Sequence, residues 1–464
     1  MFTALSRVGG RHCNGGLQVL QASNCQPKGA VLPSSAIIRH ASQLYPTTSR
    51  RWDDAMLKAE SIVGDSSNFS SLQQWVSGEF NNITKYLQRL VGTNHPMLET
   101  AKRCTYISEG RMGSAQARGL TVMLTSKALG ELTKHSCRDK DIEAVIKNQL
   151  SLAEMTEMTY SAYMIHRGVM DLKMYGLESV DQSIKLSKDQ LDPDHLDPEQ
   201  AKALHYGNKV SVLCGDFLLA YVMRGLGDLF SSKVVDLVAS SITEFMEGEF
   251  LLIDDWRSKN YLLSKESRDL KRWIRRSHAT IGSLQGNTCQ ASLVLANING
   301  KLQYDARELG RNLGLAWQAH TELQPFLRDT YEPIELSEMP PYPAFDLNFL
   351  PVLLFLRQTH DKDKNFRSMM DEVKTVDSRD PTNSENNLSL PLSSSSSWIN
   401  QHRHQELVNY KRLHHYILNR SNAVDETLKI IQNYSSRAIK HLNSFPPSEA
   451  KEMLVNICES LYKR

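Results

Sequence analysis

The sequence predicts an all-α fold, on three observations. Apolar residues recur at three- and four-residue steps over most of the chain beyond residue 53. Period-two alternation is nearly absent, and no hairpin dipeptide separates β-branched runs. The chain has 464 residues, with ordinary apolar (41%) and charged (23%) fractions, so a large buried core is expected.

The first 52 residues carry six basic side chains (Arg7, Arg11, Lys28, Arg39, Arg50, Arg51) and no Asp or Glu. That acid-free, Arg-bearing composition predicts a mitochondrial transit or disordered segment, with a helical domain over 53–464 working in the matrix. No continuous apolar region follows the early arginines, which disfavours a secretory signal. The remainder holds 48 basic against 52 acidic residues and offers no electrostatic footprint for nucleic acid. Seven cysteines without C-x-x-C spacing argue against a zinc ribbon or a disulfide framework.

Along the chain, Leu72, Trp75, Val76, Phe80, Ile83, Leu87 and Leu90 mark a helix that Gly92 ends. Residues 150–166, 207–230 and 234–250 are more apolar than a surface helix needs and should be central. Asp216, within the second of these, reads as a satisfied structural carboxylate. "SKDQLDPDHLDPEQ" (187–200) is an acidic, Pro-punctuated connection. Asp254 and Asp255 in "FLLIDDW" read as loop carboxylates. The basic run "RDLKRWIRRS" (268–277) reads as a solvated helix face, or else as a surface for an anionic membrane or partner. Residues 371–397 end in a serine tract and read as a disordered insertion. His402, His404, His414 and His415 read as a solvated histidine patch. Residues 423–445 are plainly amphipathic. No stretch of 18 apolar residues is present, so no transmembrane segment is expected, only a peripheral place at the inner membrane.

The order of several stretches resembles a known family. "LAEMTEMTYSAYMIHRGVMD" followed by "YGNKVSVLCGDFLLA" is similar to the trans-polyprenyl diphosphate synthases, which carry E-x-x-H-x-A-S-L-x-H-D-D-x-x-D and then G-x-x-x-A-V-L-x-G-D-x-L-L-A. The resemblance continues through "FMEGEF" (245–250), "ATIGSLQGNTCQAS" (279–292), "GRNLGLAWQAHTELQPF" (310–326) and "SFPPSEAKEML" (444–454). It implies the isoprenoid synthase fold, a bundle of long helices around a central cavity. It also implies a reaction in which Mg²⁺, held by two aspartate-rich motifs, neutralises the diphosphate leaving an allylic substrate.

Laid on that pattern, this chain is degenerate at both motifs. Arg167 and Gly168 take the places of the first two aspartates, and Asp171 alone remains at the third. In the second motif, Thr321 and Glu322 replace the aspartate pair and Pro325 the last aspartate. An arginine and a glycine offer no oxygen donor to a metal. The cationic half has also gone: the family's diphosphate-binding loop reads "VGTNHP" (91–96), and its Lys-Thr pair reads Ala279-Thr280. Arg167 is expected to pair with Asp171, four residues on.

Within the family, the chain resembles the divergent second subunits of heteromeric mitochondrial synthases. The expectation is a non-catalytic, regulatory subunit with no catalytic, cofactor or metal residue of its own. Its partner would be a catalytic subunit 1 that holds the Mg²⁺, and together they would make the isoprenoid side chain of ubiquinone. Helices around 115–130 and 207–230 are the expected interface. Two alternatives stand beside it. One is a self-sufficient prenyltransferase using Asp171, Glu322 and the carboxylates Asp192, Asp194 or Asp197. The other is a lipid-binding helical scaffold.

Overall fold

Trp52, Ala55, Met56, Ala59 and Val63 recur at helical spacing and form the buried face of the first helix, α1 (Arg50–Val63). The computed structural model describes residues 50–63, 117–136, 139–169, 198–256, 265–328, 330–331, 334–336, 339–342, 344–362, 368–370, 373 and 408–463. All of these belong to one compact unit, residues 44–464. This helix includes residues just before 53: Trp52 is 2% exposed and its ring lies 4.2 Å from that of Trp317.

The described chain is helical almost throughout. α2 (Ala117–Ala128) and α3 (Gly130–Ser136) lead into α4 (Asp139–Arg167), α5 (Pro198–Asp228) and α6 (Ser232–Trp256). Then come α7 (Leu270–Ser277), a π turn at His278–Gly282, α8 (Ser283–Leu295) and α9 (Lys301–Leu323). α10 (Leu350–Lys362), α11 (Tyr410–Arg420), α12 (Ala423–Leu442) and α13 (Glu449–Ser460) complete it. The one departure from helix among the described residues is a short antiparallel hairpin, β1 (Ile334–Leu336) with β2 (Met339–Tyr342), paired Ile334 to Tyr342 and Leu336 to Met339.

Helix α9 is the axis of the bundle, packed chiefly against α8 and α12. Its approach to α8 depends on Gly310, where a Cβ would stand 2.4 Å from the backbone oxygen of Gln285. No side chain fits there without moving one helix. Where α4 meets α5, Gly215 makes room for a side chain instead of a backbone. A Cβ at Gly215 would lie 2.1 Å from the Nε2 of His166, so the "CGD" glycine is what lets the end of α4 settle on α5.

Several expectations change on inspection of the packing. α2 was expected to offer a surface, but Gly119 through Ser126 are all buried. Its Thr121, Thr125 and Ser126 can be buried because they give their hydroxyls to the carbonyls of Ala117, Thr121 and Val122. α5 does keep an exposed apolar face. The stretch His205–Asp228 also reaches the length and mean hydropathy (1.4) of a membrane span, contrary to the expectation that none would. Its other face, Val210, Cys214, Leu218, Val222 and Leu226, is buried in the bundle, as a packed helix requires. Asp216 is not enclosed; its side chain is 65% exposed.

The backbone of Asp254 and Asp255 continues α6 instead of entering a loop. The basic run is only half solvated: Arg272 and Arg276 turn inward and donate to the carbonyls of Leu251 and Asn348, both at 2.8 Å. His414 is a core histidine, 2% exposed, bonded to the Pro325 carbonyl at 3.1 Å and stacked on Phe326. Burial holds its pKa below the usual histidine value. His415 beside it faces solvent. His402, His404 and the serine-rich insertion, apart from Val373, lie outside the described residues. So do the helix expected near 72–92, "VGTNHP", and all but the last three residues of the acid-free segment.

Candidate functional site: two degenerate aspartate motifs

The first motif closes α4. Arg167 is the last residue of that helix, Gly168 begins the turn after it, and Asp171 lies outside the described residues. The Nε of Arg167 stands 3.0 Å from Oε1 of Glu249 on α6, with both side chains largely buried. The Tyr163 hydroxyl donates to the same carboxylate oxygen, and the Arg167 guanidinium lies 5.5 Å from the Tyr163 ring centre. Asp346, in the loop before α10, adds a second negative charge near Arg167. Arg167 thus has a tertiary partner in Glu249, while its expected i,i+4 partner Asp171 lies outside the described residues. In low dielectric an unpaired guanidinium is costly, and two carboxylates answer it here.

The second motif ends α9. Thr321 is exposed and gives its hydroxyl to the Trp317 carbonyl one turn back at 3.0 Å. Glu322 is 1% exposed and fully engaged. Its Oε2 accepts from Trp273 Nε1 at 2.8 Å and from the Leu350 backbone N–H at 2.7 Å. Its Oε1 accepts from Gln318 at 2.6 Å and faces Arg276 at 3.6 Å. Burial raises the Glu322 pKa above the usual carboxylate value, and Arg276 with the hydrogen bonds opposes that shift. The Leu350 N–H is one of the orphan donors that open α10, so Glu322 caps a helix. The retained carboxylate holds α7, α9 and α10 together.

The loop before α10 links the two motifs. Asp346 adds negative charge in the neighbourhood of Arg167, the Asn348 carbonyl accepts from Arg276, and the Leu350 N–H donates to Glu322. Where the family resemblance implies carboxylates around Mg²⁺, this chain has arginines among Glu249, Asp346 and Glu322. The described motif positions do not fit a magnesium clamp: Arg167 and Gly168 bring no oxygen ligand, and all four partners of Glu322 are donors or cations. Among the described residues there is no group of three or more His, Cys, Asp or Glu side chains placed to hold a metal. Asp192, Asp194 and Asp197 lie outside them. The Lys-Thr position falls in the π turn, where Ala279 and Thr280 are both buried. Sequence reasoning missed Glu249, Asp346, Arg276 and Trp273. The available signal for Glu249 was the second glutamate of "FMEGEF", set between Gly248 and Phe250.

A third buried acid sits further back on α4. Glu157 corresponds to the glutamate of E-x-x-H and accepts the Gly119 N–H at 2.7 Å. Burial pushes its pKa up to about 7, with Arg118 and backbone bonds pulling it down. A carboxyl whose folded pKa is raised lends stability that is full below its unfolded value near 4.5 and is lost as pH rises toward 7. The loss amounts to roughly 3 kcal/mol for a shift of this size. Urea unfolding at pH 5 and pH 8 should therefore show a larger drop for the wild type than for Glu157→Gln. Equal drops would remove Glu157 as the cause.

Comparison with known proteins matches this architecture. A polyprenyl synthetase family model matches residues 198–332. The chain is 28% identical over 413 residues to the Mus musculus all trans-polyprenyl-diphosphate synthase PDSS2, covering 88% of this chain and 86% of that one. It is 23% identical over 502 residues to a probable mitochondrial hexaprenyl pyrophosphate synthase of Neurospora crassa, covering 97% of each. With the decaprenyl-diphosphate synthase subunit 1 of Schizosaccharomyces pombe it shares 25% identity over 256 residues, 52% of this chain and 61% of that one. The crystal structure of a Lactobacillus brevis geranylgeranyl pyrophosphate synthase superposes with a TM-score of 0.52 at 12% identity, covering 86% of this chain and 96% of that one, which shows the fold. Residues 198–332 thus match the polyprenyl synthetase family, and the chain is similar over most of its length to polyprenyl diphosphate synthases.

Proposed function

We propose that this chain is a non-catalytic subunit of a heteromeric trans-polyprenyl diphosphate synthase, working with a catalytic homologue in the mitochondrial matrix to make the side chain of ubiquinone. The observation that carries this reading is the occupation of both motif positions by structural contacts, Arg167 with Glu249 and Glu322 with its four partners. Ionising an allylic diphosphate requires cationic stabilisation of the leaving group at these positions, and the chain offers its charges there to itself. The relatives support the setting: one is a PDSS2, one is named as mitochondrial, and one is named as a subunit 1. The chain would need no Mg²⁺ of its own, the ions lying in the catalytic partner.

The exposed apolar face of α5 supplies the means of association. Val212, Leu213, Phe217 and Met223 are 43–67% exposed on one side of the helix, interspersed with the exposed Asp216 and Arg224. A cluster of large apolar side chains left exposed on one helix face is what an interaction surface offers.

The test is a product assay with Mg²⁺, an allylic diphosphate and isopentenyl diphosphate. The purified chain alone should give no polyprenyl product, and co-expression with the paralogue that keeps both aspartate motifs should give product and a stable complex. Turnover by the isolated chain at the level of an intact family member would overturn the proposal.

A further inference from the structure

A cavity of about 370 Å³ opens between α7, α9 and α12. None of its lining residues belongs to either aspartate motif. Arg311 comes from α9, and Arg437 and Lys440 come from α12, against a single carboxylate, Glu308. That carboxylate is already committed to Arg311, with both oxygens 3.4 Å from its NH1. The Nε of Arg311 is buried without a hydrogen-bond partner. Arg437 has the face of Tyr434 at 5.6 Å, and neither Arg437 nor Lys440 has a carboxylate partner among the described residues. His441 at the rim is held by Asp305 at 2.8 Å.

Lys440 in the last turn of α12 also complements the helix dipole, which accounts for one cation. It does not account for Arg311 and Arg437, brought to the same space from two helices with one shared counter-charge. Arg437 and Lys440 are exposed and Arg311 is partly so, which screens their mutual repulsion and leaves their donors accessible, and guanidinium forks match the oxygen geometry of phosphate. The volume lies in the range of small-ligand sites. Ile274 and Leu315 give the cavity an apolar wall beside the charges. We propose that this pocket binds a multiply charged phosphate group carried on an apolar chain. Arg311, Arg437 and Lys440 take the phosphate oxygens, and Ile274 and Leu315 take the first carbons. Two sources share that chemistry, a soluble diphosphate and a phospholipid headgroup.

The test uses the full chain without metal, and needs neither turnover nor partner, so its result is independent of the subunit proposal. Inorganic diphosphate is titrated by calorimetry at low ionic strength, and vesicles of phosphatidylcholine with and without phosphatidic acid are tested by flotation. Saturable binding in either arm is expected, and the arm identifies the source. Arg437→Gln with Lys440→Gln should weaken it at least about tenfold, the loss expected for two charge-assisted hydrogen bonds. Lys429→Gln, exposed on the same helix, should leave it unchanged. Circular dichroism and melting temperature check that the double variant folds. Absence of binding in both arms, or binding that survives the double substitution in a folded chain, overturns the proposal.

Discussion

Replacing Glu322 by alanine is expected to lower the unfolding free energy by about 3–5 kcal/mol, the cost of removing one partner from a buried charged network. Four groups lose their acceptor at once. Trp273 Nε1 and the Leu350 N–H lose bonds of 2.8 and 2.7 Å, Gln318 loses one of 2.6 Å, and Arg276 keeps only the Asn348 carbonyl. Water cannot replace the carboxylate readily, because Glu322 is 1% exposed and Trp273 beside it is equally buried. Each stranded donor carries its own desolvation cost of about 1–3 kcal/mol, so the estimate does not depend on the ion pair alone. Glu322→Gln is the informative second variant. Its amide can accept from one pair of donors but turns two N–H groups toward the other, so it should fall between alanine and wild type. Denaturant unfolding of the purified chain measures both. An alanine variant within about 1 kcal/mol of wild type, the range of ordinary substitutions, would mean that Glu322 is not the tie between α7, α9 and α10.

The helical class and the order of the long helices were legible in the sequence, as was the replacement of motif aspartates by Arg167, Gly168, Thr321 and Pro325. Each is a local property: apolar periodicity over 207–230 or 423–445, or a residue type that cannot donate oxygen to a cation. What could not be read was where the surviving charges go. Arg167 looked toward Asp171 because i,i+4 partners are visible in a linear sequence, whereas Glu249 sits on a different helix and Asp346 in a loop. Glu322 looked like a leftover ligand because nothing near it announces that Leu350 and Trp273 will point at it. The same blindness governs burial. α2 read as an apolar interface helix, yet its hydroxyls bond back within the helix and it sinks into the core of its own chain. Asp216 was placed inside because its neighbours are apolar, but those neighbours include Val212, Leu213 and Phe217, which are exposed with it. An apolar run shows that a helix will be covered, but not whether the cover comes from its own chain.

That distinction sets the second large expected effect. Leu213→Glu combined with Phe217→Glu should abolish stable association with the catalytic homologue while leaving this chain folded. The two side chains stand one helical turn apart on α5, 67% and 43% exposed. Burying a large apolar side chain is worth roughly 1.5–3 kcal/mol, and a central anchor residue in an interface loses about 2 kcal/mol or more on truncation. Two such losses, with two carboxylates left to desolvate, weaken the complex at least a hundredfold, at about 1.4 kcal/mol per factor of ten. Folding should be nearly indifferent, because solvent-facing substitutions on a helix typically change stability by about 0.5 kcal/mol or less. The packing that holds α5 is on its other side, through Val210, Cys214, Leu218 and Val222. Analytical ultracentrifugation of the co-expressed pair reads the association, and thermal melting of the chain reads the fold. Lys429→Glu, exposed on α12, controls for added charge alone. A complex that survives the double substitution would move the interface off α5. Loss of the complex with an unchanged melt would assign the uncovered half of that apolar helix to a second subunit, in the same physical sense that its covered half is assigned to the bundle.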